Sequence, residues 1–168
     1  VDLVKVSQGG GSACTTRLRT GIGKPTLQAV MDTEKLSTDL QVVADGGIHN
    51  TGSLAKSIAA GACCGMLGGM LAGTEQSPGD KIEINGQTYK QFRGMASRDA
   101  KKDSEKHDER NVEGISTTVP YKGDVEDIFK KIEDGLQGAV ASTGFKKLEQ
   151  LKGNGKFIKL SESAKRES

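Results

Sequence analysis

Short apolar runs that end in glycines are the feature that most limits how this chain can fold. The run Leu3–Val6 precedes three glycines at positions 9–11, and the run Leu40–Ala44 precedes Asp45, Gly46 and Gly47. A third short run, at residues 65–67, leads into another glycine pair. Runs of this length and composition are typical of buried strands. The pattern therefore predicts three strands, each of which ends in a flexible loop.

Helical spacing fills the gaps between these predicted strands. Apolar side chains recur every three or four residues in Thr26–Leu36 and Ser53–Ala62. Strand, glycine loop and helix in repetition indicate parallel βα units, with ligand loops at the carboxyl ends of the strands. Only about three units fit, whereas an eight-unit barrel takes roughly 250 residues. We predict an α/β fold which, if it is a barrel, is a partial (β/α)8 TIM barrel, and we expect that the chain begins mid-domain at Val1.

The second half of the chain has a different pattern. Residues 81–90 alternate in polarity around Asn85-Gly86, a strong hairpin signal. Residues 98–110 carry dense charge of both signs and no large apolar side chain, which predicts a solvated, mobile flap or a surface helix. We place this flap at about 98–118. An amphipathic helix is predicted within 123–144.

The sequence predicts one domain unit with a polar end. We interpret residues 1–168 as the C-terminal part of one barrel domain, whose N-terminal half is absent from this chain. Residues 160–168 form a polar, charged tail. Such a tail is either disordered or ordered by a partner subunit.

Charge and composition exclude several function classes. The chain has 24 Lys and Arg against 22 Asp and Glu, a net charge of +2, so the basic excess typical of a nucleic-acid surface is missing. No apolar run is long enough to predict a membrane span. Three cysteines, two of them adjacent, suit a reducing compartment, and we expect a cytoplasmic protein.

Cys14 is the first candidate for chemistry. It lies in a glycine-rich loop directly after a predicted strand, with Thr15, Thr16 and Arg17 beside it. Hydroxyls and a cation near a thiol favour a thiolate nucleophile. A free cysteine is more often a small buried hydrophobe, so both interpretations stay open. The Cys63-Cys64 pair lies among alanines and glycines, where we expect packing only.

Two glycine pairs indicate an anion site. Gly46-Gly47 and Gly68-Gly69 follow consecutive predicted strands, so their backbone N–H groups could converge on one phosphate. Asp45 precedes the first pair, where a carboxylate is suited to accept hydrogen bonds from a ribose diol. Ordinary tight turns explain most single glycine pairs, and that alternative stays open.

Motifs along nearly the whole chain resemble one known family. They are GGGSACTTR (9–17), TGIGKPTLQAV (20–30), ADGGI (44–48), MLGGMLAGTEQSPG (66–79), YKQFRGMAS (89–97), VEGIST (112–117) and VPYKGDV (119–125). In this order they resemble the C-terminal half of the catalytic barrel of the IMP dehydrogenase and GMP reductase family. The resemblance implies a purine nucleotide oxidoreductase that acts at C2 of a purine 5′-monophosphate, GMP or IMP, and assembles as a homotetramer.

The resemblance also implies roles for individual residues. Cys14 resembles the nucleophile that forms a covalent intermediate, and Thr16 and Glu113 resemble its acid-base partners. Asp45 resembles the ribose ligand. The phosphate residues implied are Ser12, Gly47, Gly68 and Gly69, and the base-contacting residues are Met95, Ala96 and Ser97. The potassium ligands implied are the main-chain groups of Gly9, Gly11 and Cys14, with Glu167 and Ser168 from a neighbouring subunit.

The flap discriminates between the two branches of the family. Dehydrogenases oxidise IMP with NAD and activate water with an Arg-Tyr pair, which is missing between Ser97 and Glu113. Gly69 and Ala96 also stand where dehydrogenases commonly have Ser and Gly. The resemblance therefore favours GMP reductase with NADPH. The segments 119–123 and 165–168 read more like dehydrogenases, so IMP dehydrogenase with NAD stays an alternative, as does an inactive fragment that only binds nucleotide or assembles.

Overall fold

The computed structural model describes residues 2–36, 39–103 and 112–164. Within these ranges the chain forms a mixed α/β structure with two three-stranded sheets, one parallel and one antiparallel. In chain order the elements are β1 (Leu3–Val6), α1 (Thr16–Thr20), α2 (Thr26–Glu34), β2 (Gln41–Asp45), α3 (Thr51–Ala59), β3 (Cys64–Met66), β4 (Lys81–Ile84), β5 (Gln87–Arg93), α4 (Arg98–Asp103), β6 (Ser116–Pro120), α5 (Val125–Ser142) and α6 (Leu148–Leu151).

The parallel sheet confirms the three strands predicted from the apolar runs. Its order is β1-β2-β3, with Val4 opposite Val42 and Val43 opposite Cys64. The predicted helices α2 and α3 connect these strands as parallel crossovers. Because the strands are parallel, the loops that follow β1, β2 and β3 all begin at the same edge of the sheet.

Helices cover one face of the parallel sheet. Val42 and Ala44 of β2 are fully buried and belong to one hydrophobic core with Val30 of α2 and Ile58 of α3. Helix α5 adds Ile132, which is buried in the same core. The core therefore lies between the sheet and the helices, as expected for a βα-unit structure.

The other face of the parallel sheet is exposed at its two outer strands, β1 and β3. Leu3 is 50% exposed, Met66 is 47% exposed, and Cys64 is exposed as well. From the sequence, Cys63 and Cys64 are expected to pack in the interior. Cys64 does not, because strand alternation puts it opposite Val43, on the face that the helices leave uncovered.

The antiparallel sheet contains the predicted hairpin and one strand that was not predicted. Asn85 and Gly86 have φ values of 52° and 75°, as a two-residue type I′ turn between β4 and β5 requires. Strand β6 pairs with β5 and overlaps residues 116–118, which the sequence analysis assigned to the flap. It escaped prediction because its residues Ser116–Thr118 are exposed and show no apolar alternation. The flap residues 104–111 lie outside the described residues.

A buried lysine fastens the antiparallel sheet to the segment before it. Lys90 of β5 is only 4% exposed. Its ammonium group donates hydrogen bonds to the carbonyls of Thr74 and Glu75, at 3.0 and 3.1 Å, and to the carbonyl of Ser77. A buried cation is costly unless it is hydrogen-bonded, and here backbone carbonyls satisfy all three of its donors.

Helix α5 packs on the parallel-sheet core through part of the apolar face that its sequence predicts, which carries Val125, Ile128, Phe129, Ile132 and Leu136. Ile128 and Leu136 pack against the core beside the buried Ile132, whereas Phe129 is 51% exposed. The helix begins at Asp124, whose side chain accepts a 2.8 Å hydrogen bond from the Glu126 N–H. That bond to the carboxylate lowers the pKa of Asp124. Among the helices in the described ranges, none has the length and apolarity to cross a lipid bilayer.

Core packing around β2 provides a stability test. Replacing Val42 by Ala removes two methyl groups from a fully buried site and leaves a cavity, so we expect the free energy of unfolding to fall by about 2 kcal/mol. Leu18→Ala is the control, because Leu18 is 87% exposed and should change stability by less than about 0.5 kcal/mol. Denaturant unfolding measures both. Equal losses would mean that the core is not centred on β2.

Candidate active site

The loops after β1 and β2 meet through glycines. The Gly47 N–H donates a 2.8 Å hydrogen bond to the Gly10 carbonyl. Gly46 has a φ of +82°, and a Cβ there would lie 2.5 Å from the Gly10 carbonyl carbon. Only glycine lets the two backbones come this close. The Gly47 N–H, which is predicted from the sequence to donate to a phosphate, therefore donates to the Gly10 carbonyl instead.

Main-chain hydrogen bonds join the Cys14 loop to the segment before β6. The Thr15 N–H donates to the Glu113 carbonyl at 2.7 Å, and the Ile115 N–H donates to the Ala13 carbonyl at 3.0 Å. Together they form an isolated antiparallel bridge between Cys14 and Gly114. The parallel sheet and the antiparallel sheet thus meet at Cys14.

The segment after β5, residues 94–97, also contacts the Cys14 loop and the segment before β6. The Glu113 and Gly114 N–H groups both donate to the Ala96 carbonyl, at 3.1 and 3.2 Å. The Gly94 N–H donates to the Ile115 carbonyl at 3.0 Å. A Cβ on Gly94 would lie 2.9 Å from the Ala13 carbonyl oxygen, so this segment also touches the Cys14 loop directly.

Side chains form a hydrogen-bonded chain across this junction. The Cys14 thiol donates to Thr16 Oγ1 at 3.1 Å, and the Thr16 hydroxyl donates to a Glu113 carboxylate oxygen. All three residues are partly buried. Thr16 and Glu113 are 97 positions apart in the sequence. The structure thereby brings together the three residues predicted to be catalytic, in an order that can pass a proton between the thiol and the carboxylate.

The predicted phosphate residues form two groups. Ser12 and Gly69 are direct neighbours, because a Cβ on Gly69 would overlap Ser12 Oγ. Gly68 is exposed, with open space around it. Gly47 belongs to the loop after β2, beside Asp45, whose carboxylate forms a 2.9 Å ion pair with Lys5 of β1. Lys5 was not among the predicted site residues.

The predicted base-contacting residues differ in accessibility. Met95 is 89% exposed beside the Cys14 loop and is free to contact a ligand. The Ala96 carbonyl accepts the two hydrogen bonds from the segment before β6. Ser97 is 1% exposed, and its hydroxyl accepts a 3.2 Å hydrogen bond from the Ala100 N–H at the start of α4. Base contact by Ser97 stays a prediction.

The predicted potassium ligands lie partly in the described structure. Gly9, Gly11 and Cys14 share one loop, and the Gly11 carbonyl accepts a 3.0 Å hydrogen bond from the Cys14 N–H. The carbonyls of Gly9 and Cys14 accept no hydrogen bond from any described residue, so they are available to a cation. Glu167 and Ser168 lie outside the described residues. Over residues 2–36, 39–103 and 112–164, no cluster of three His, Cys, Asp or Glu side chains could hold a metal ion.

A second lysine was missed by the sequence analysis. Lys122 follows β6, and its ammonium group donates hydrogen bonds to the carbonyls of Gly69 and Met70, at 2.7 and 3.2 Å. Desolvation by neighbouring atoms lowers the pKa of Lys122. Lys122 belongs to the VPYKGDV motif, but the motif alone does not show that its ammonium group binds the carbonyls of residues more than fifty positions earlier in the chain.

A groove adjoins the site. It has a volume of about 1060 Å³ and lies between the segment 68–79 and strands β5 and β6. Gly68 and Met95 line it, as do Arg93 and Asp103, which form a 2.6 Å ion pair. Cys14, Thr16 and Glu113 do not line it. The groove therefore borders the predicted phosphate and base segments but not the hydrogen-bonded side-chain chain.

Comparison with known proteins shows the family of the chain. The family model described as IMP dehydrogenase / GMP reductase domain matches residues 1–168. The chain therefore belongs to the IMP dehydrogenase / GMP reductase family.

Similar proteins carry both family names. The chain is 42% identical to an inosine-5′-monophosphate dehydrogenase of Thermoplasma acidophilum, a match that covers 100% of this chain and 36% of the relative. It is 44% identical to a GMP reductase of Phytophthora infestans, over 96% of this chain and 46% of the relative. A GMP reductase of Onchocerca volvulus is 42% identical to the chain, in a match that covers 96% of this chain and 45% of the relative. The chain thus spans less than half the length of these relatives.

The glycine contact between the two loops can be tested with a matched pair of variants. Gly46→Ala and Gly21→Ala both place a Cβ on a residue with positive φ, +82° and +69°. Gly21 has nothing within 4 Å of that Cβ, so we expect only the backbone strain of about 1 kcal/mol. Gly46→Ala should lose at least about 2 kcal/mol, because the Gly10 backbone must also move. Equal losses in denaturant unfolding would contradict the close contact.

Proposed function

We propose that this chain is the C-terminal half of a (β/α)8 catalytic domain, with β1, β2 and β3 as three strands of the barrel. The proposal is supported by the parallel order of these strands, by helices on one face, and by family membership over residues 1–168. The open inner face, with Leu3, Cys64 and Met66, is where further barrel strands would pack.

We further propose that the domain reduces GMP to IMP through a covalent bond between Cys14 and purine C2. The observation that carries this proposal is the hydrogen-bonded chain from Cys14 through Thr16 to Glu113. Attack by the Cys14 sulfur at C2 requires that the thiol lose its proton, and the neighbouring Thr16 hydroxyl is placed to accept it. Glu113, at the far end of the chain, exchanges protons with Thr16.

The same three residues can serve the departure of the amino group. The C2 amino group becomes a good leaving group only when it is protonated, and Thr16 can deliver a proton that Glu113 holds. The bond between C2 and nitrogen breaks, and ammonia departs while Cys14 stays attached to C2. The sulfur then leaves as a thiolate when hydride reaches C2, which gives IMP. This sequence requires no residue that activates water.

The remaining contacts orient the nucleotide. Asp45 would accept hydrogen bonds from the ribose hydroxyls, and its pairing with Lys5 holds the carboxylate in place. Ser12, Gly68 and Gly69 would bind the phosphate, where Ser12 and Gly68 are exposed to an incoming anion. Gly47 would shape the same site through its loop, because its N–H donates to the Gly10 carbonyl. Met95 would lie against the purine.

The cofactor proposed is NADPH, with NAD as the alternative. The groove beside Met95 has the volume of a small-molecule site and can hold a nicotinamide ring with its ribose. When bound, the nicotinamide supplies the hydride that replaces the amino group at C2. For potassium, the free carbonyls of Gly9 and Cys14 would hold the ion, completed by Glu167 and Ser168 of a neighbouring subunit in a homotetramer.

Two observations bear on the choice between reductase and dehydrogenase. The absence of an Arg-Tyr dipeptide between Ser97 and Glu113 favours the reductase, because hydrolysis of a covalent intermediate needs an activated water. Several relatives of this chain are named inosine-5′-monophosphate dehydrogenase, which supports oxidation of IMP with NAD as the second candidate. A third candidate, an inactive piece that only binds nucleotide or assembles, follows from the short length relative to the relatives.

The reductase proposal predicts the following result for the full-length protein that contains this chain. Nicotinamide absorbance should fall with GMP and NADPH and should not rise with IMP and NAD. Cys14→Ser should abolish turnover, because a serine hydroxyl is a far weaker nucleophile, while nucleotide affinity stays within about threefold. Cys64→Ser is the matched control and should retain turnover, because Cys64 lies outside the hydrogen-bonded chain.

The alternatives give different results in the same assay. NADH formation from IMP would replace the reductase by the dehydrogenase. Turnover by Cys14→Ser would remove the covalent mechanism from both. Nucleotide binding without turnover of either pair by the wild-type protein would leave the binding-only candidate.

A further inference from the structure

Lys122 binds the turn that contains the glycines of the predicted phosphate site. Its ammonium donates to the Gly69 and Met70 carbonyls, and its own N–H donates to the Gly73 carbonyl at 2.8 Å. The side chain and the backbone of one residue thus hold both ends of the segment 69–73. This residue reaches the segment from the strand β6 side of the molecule.

The carbonyls at the start of this turn are all engaged. The Gly68 carbonyl accepts hydrogen bonds from the Leu71 and Ala72 N–H groups, at 3.1 and 3.0 Å. The next two carbonyls, of Gly69 and Met70, accept from Lys122. Three consecutive carbonyl groups are therefore directed into the protein or toward the ammonium group.

Two N–H groups of the same turn, those of Gly69 and Met70, are left for a ligand. A trans peptide is planar, so the Met70 N–H points opposite to the Gly69 carbonyl that Lys122 holds. Among the described residues, the Gly69 and Met70 N–H groups have no hydrogen-bond acceptor. Ser12 Oγ lies next to Gly69. Lys122 thus fixes the orientation of the Gly69–Met70 peptide, whose Met70 N–H is free, whereas the Leu71 N–H of the second peptide that it holds donates to the Gly68 carbonyl.

The ammonium group also adds charge. Lys122 forms no ion pair with a carboxylate of residues 2–36, 39–103 or 112–164, whereas Lys5, Lys24 and Lys81 each do. Its positive charge is therefore not cancelled locally. Such a charge favours an anion bound to the other side of the same peptide groups.

We propose that Lys122 is a positioning residue for the phosphate monoester of the substrate. It acts through the Gly69 carbonyl, which it holds so that the Met70 N–H of the same peptide faces the phosphate, and it contributes a positive charge to that site. The proposal rests on the proposed function, in which Ser12, Gly68 and Gly69 bind the substrate phosphate.

The test compares two ligands that differ only in the phosphate. Affinities of guanosine 5′-monophosphate and of guanosine are measured by equilibrium titration on the full-length protein. Lys122→Met should weaken binding of the monophosphate at least about tenfold, because the Met70 N–H is then no longer held toward the phosphate and a hydrogen bond to a charged group is typically lost. Guanosine binding should change less than twofold. Lys131→Met, at an exposed position of α5, is the control and should leave both affinities unchanged.

Two further variants separate charge from hydrogen bonding. Lys122→Arg keeps both, so it should bind the monophosphate within about threefold of the wild type. Lys122→Gln keeps a donor without charge and should be intermediate. These variants also decide the question if Lys122→Met fails to fold. The proposal then requires that Lys122→Gln bind the monophosphate more weakly than Lys122→Arg does, and that the two variants bind guanosine equally well.

The outcomes distinguish this inference from the proposed function. A wild-type protein that binds neither ligand, or that binds both equally, would overturn the phosphate site itself and Lys122 with it. A wild-type preference for the monophosphate that survives in Lys122→Met and Lys122→Gln would overturn only the role of Lys122. Equal weakening of both ligands would show a merely structural role and would also contradict the proposal.

Discussion

Two main-chain hydrogen bonds at Cys14 are the constraint on which the site depends. They join residues 13 and 15 to residues 115 and 113, in the segment that leads into strand β6 of the antiparallel sheet. The loop that carries Cys14 contains three consecutive glycines and would otherwise sample many conformations. The hydrogen bonds to residues 113 and 115 reduce this freedom and put Glu113 within hydrogen-bond reach of Thr16. Without the bridge, the thiol and the carboxylate would have no fixed relation.

Lysines that bind carbonyls hold the other side of the site. The segment 68–77 lacks regular strand or helix structure in most of its length, so its carbonyls need partners from elsewhere. Lys90 and Lys122 supply them, each through an ammonium group that reaches several backbone oxygens. The side chains come from β5 and from the end of β6. The antiparallel sheet therefore serves as the support for the loop after β3.

Local patterns in the sequence predicted the elements well and their junctions poorly. The strands predicted from the apolar runs at β1, β2 and β3 and the turn predicted at Asn85-Gly86 were confirmed. Buried strands need consecutive apolar residues and a tight turn needs residues that tolerate positive φ, and both requirements are visible in the local sequence. Strand β6 has no apolar pattern that would predict it, since its side chains are mostly exposed. Family motifs named Cys14, Thr16 and Glu113 separately, but neither motif nor periodicity could show that they form one hydrogen-bonded chain. The roles of Lys5, Lys90 and Lys122 likewise depend on contacts between distant segments.

The most direct test is to trap the bond between the protein and purine C2. A 2-chloropurine riboside 5′-monophosphate offers the same carbon with chloride as leaving group, so attack by sulfur releases chloride and leaves a stable thioether. Peptide mass spectrometry of the full-length protein should find this adduct on Cys14, with Cys63 and Cys64 unmodified. Modification of Cys63 or Cys64 alone, or no adduct on Cys14 while the nucleotide is bound, would contradict the assignment of Cys14 as the nucleophile.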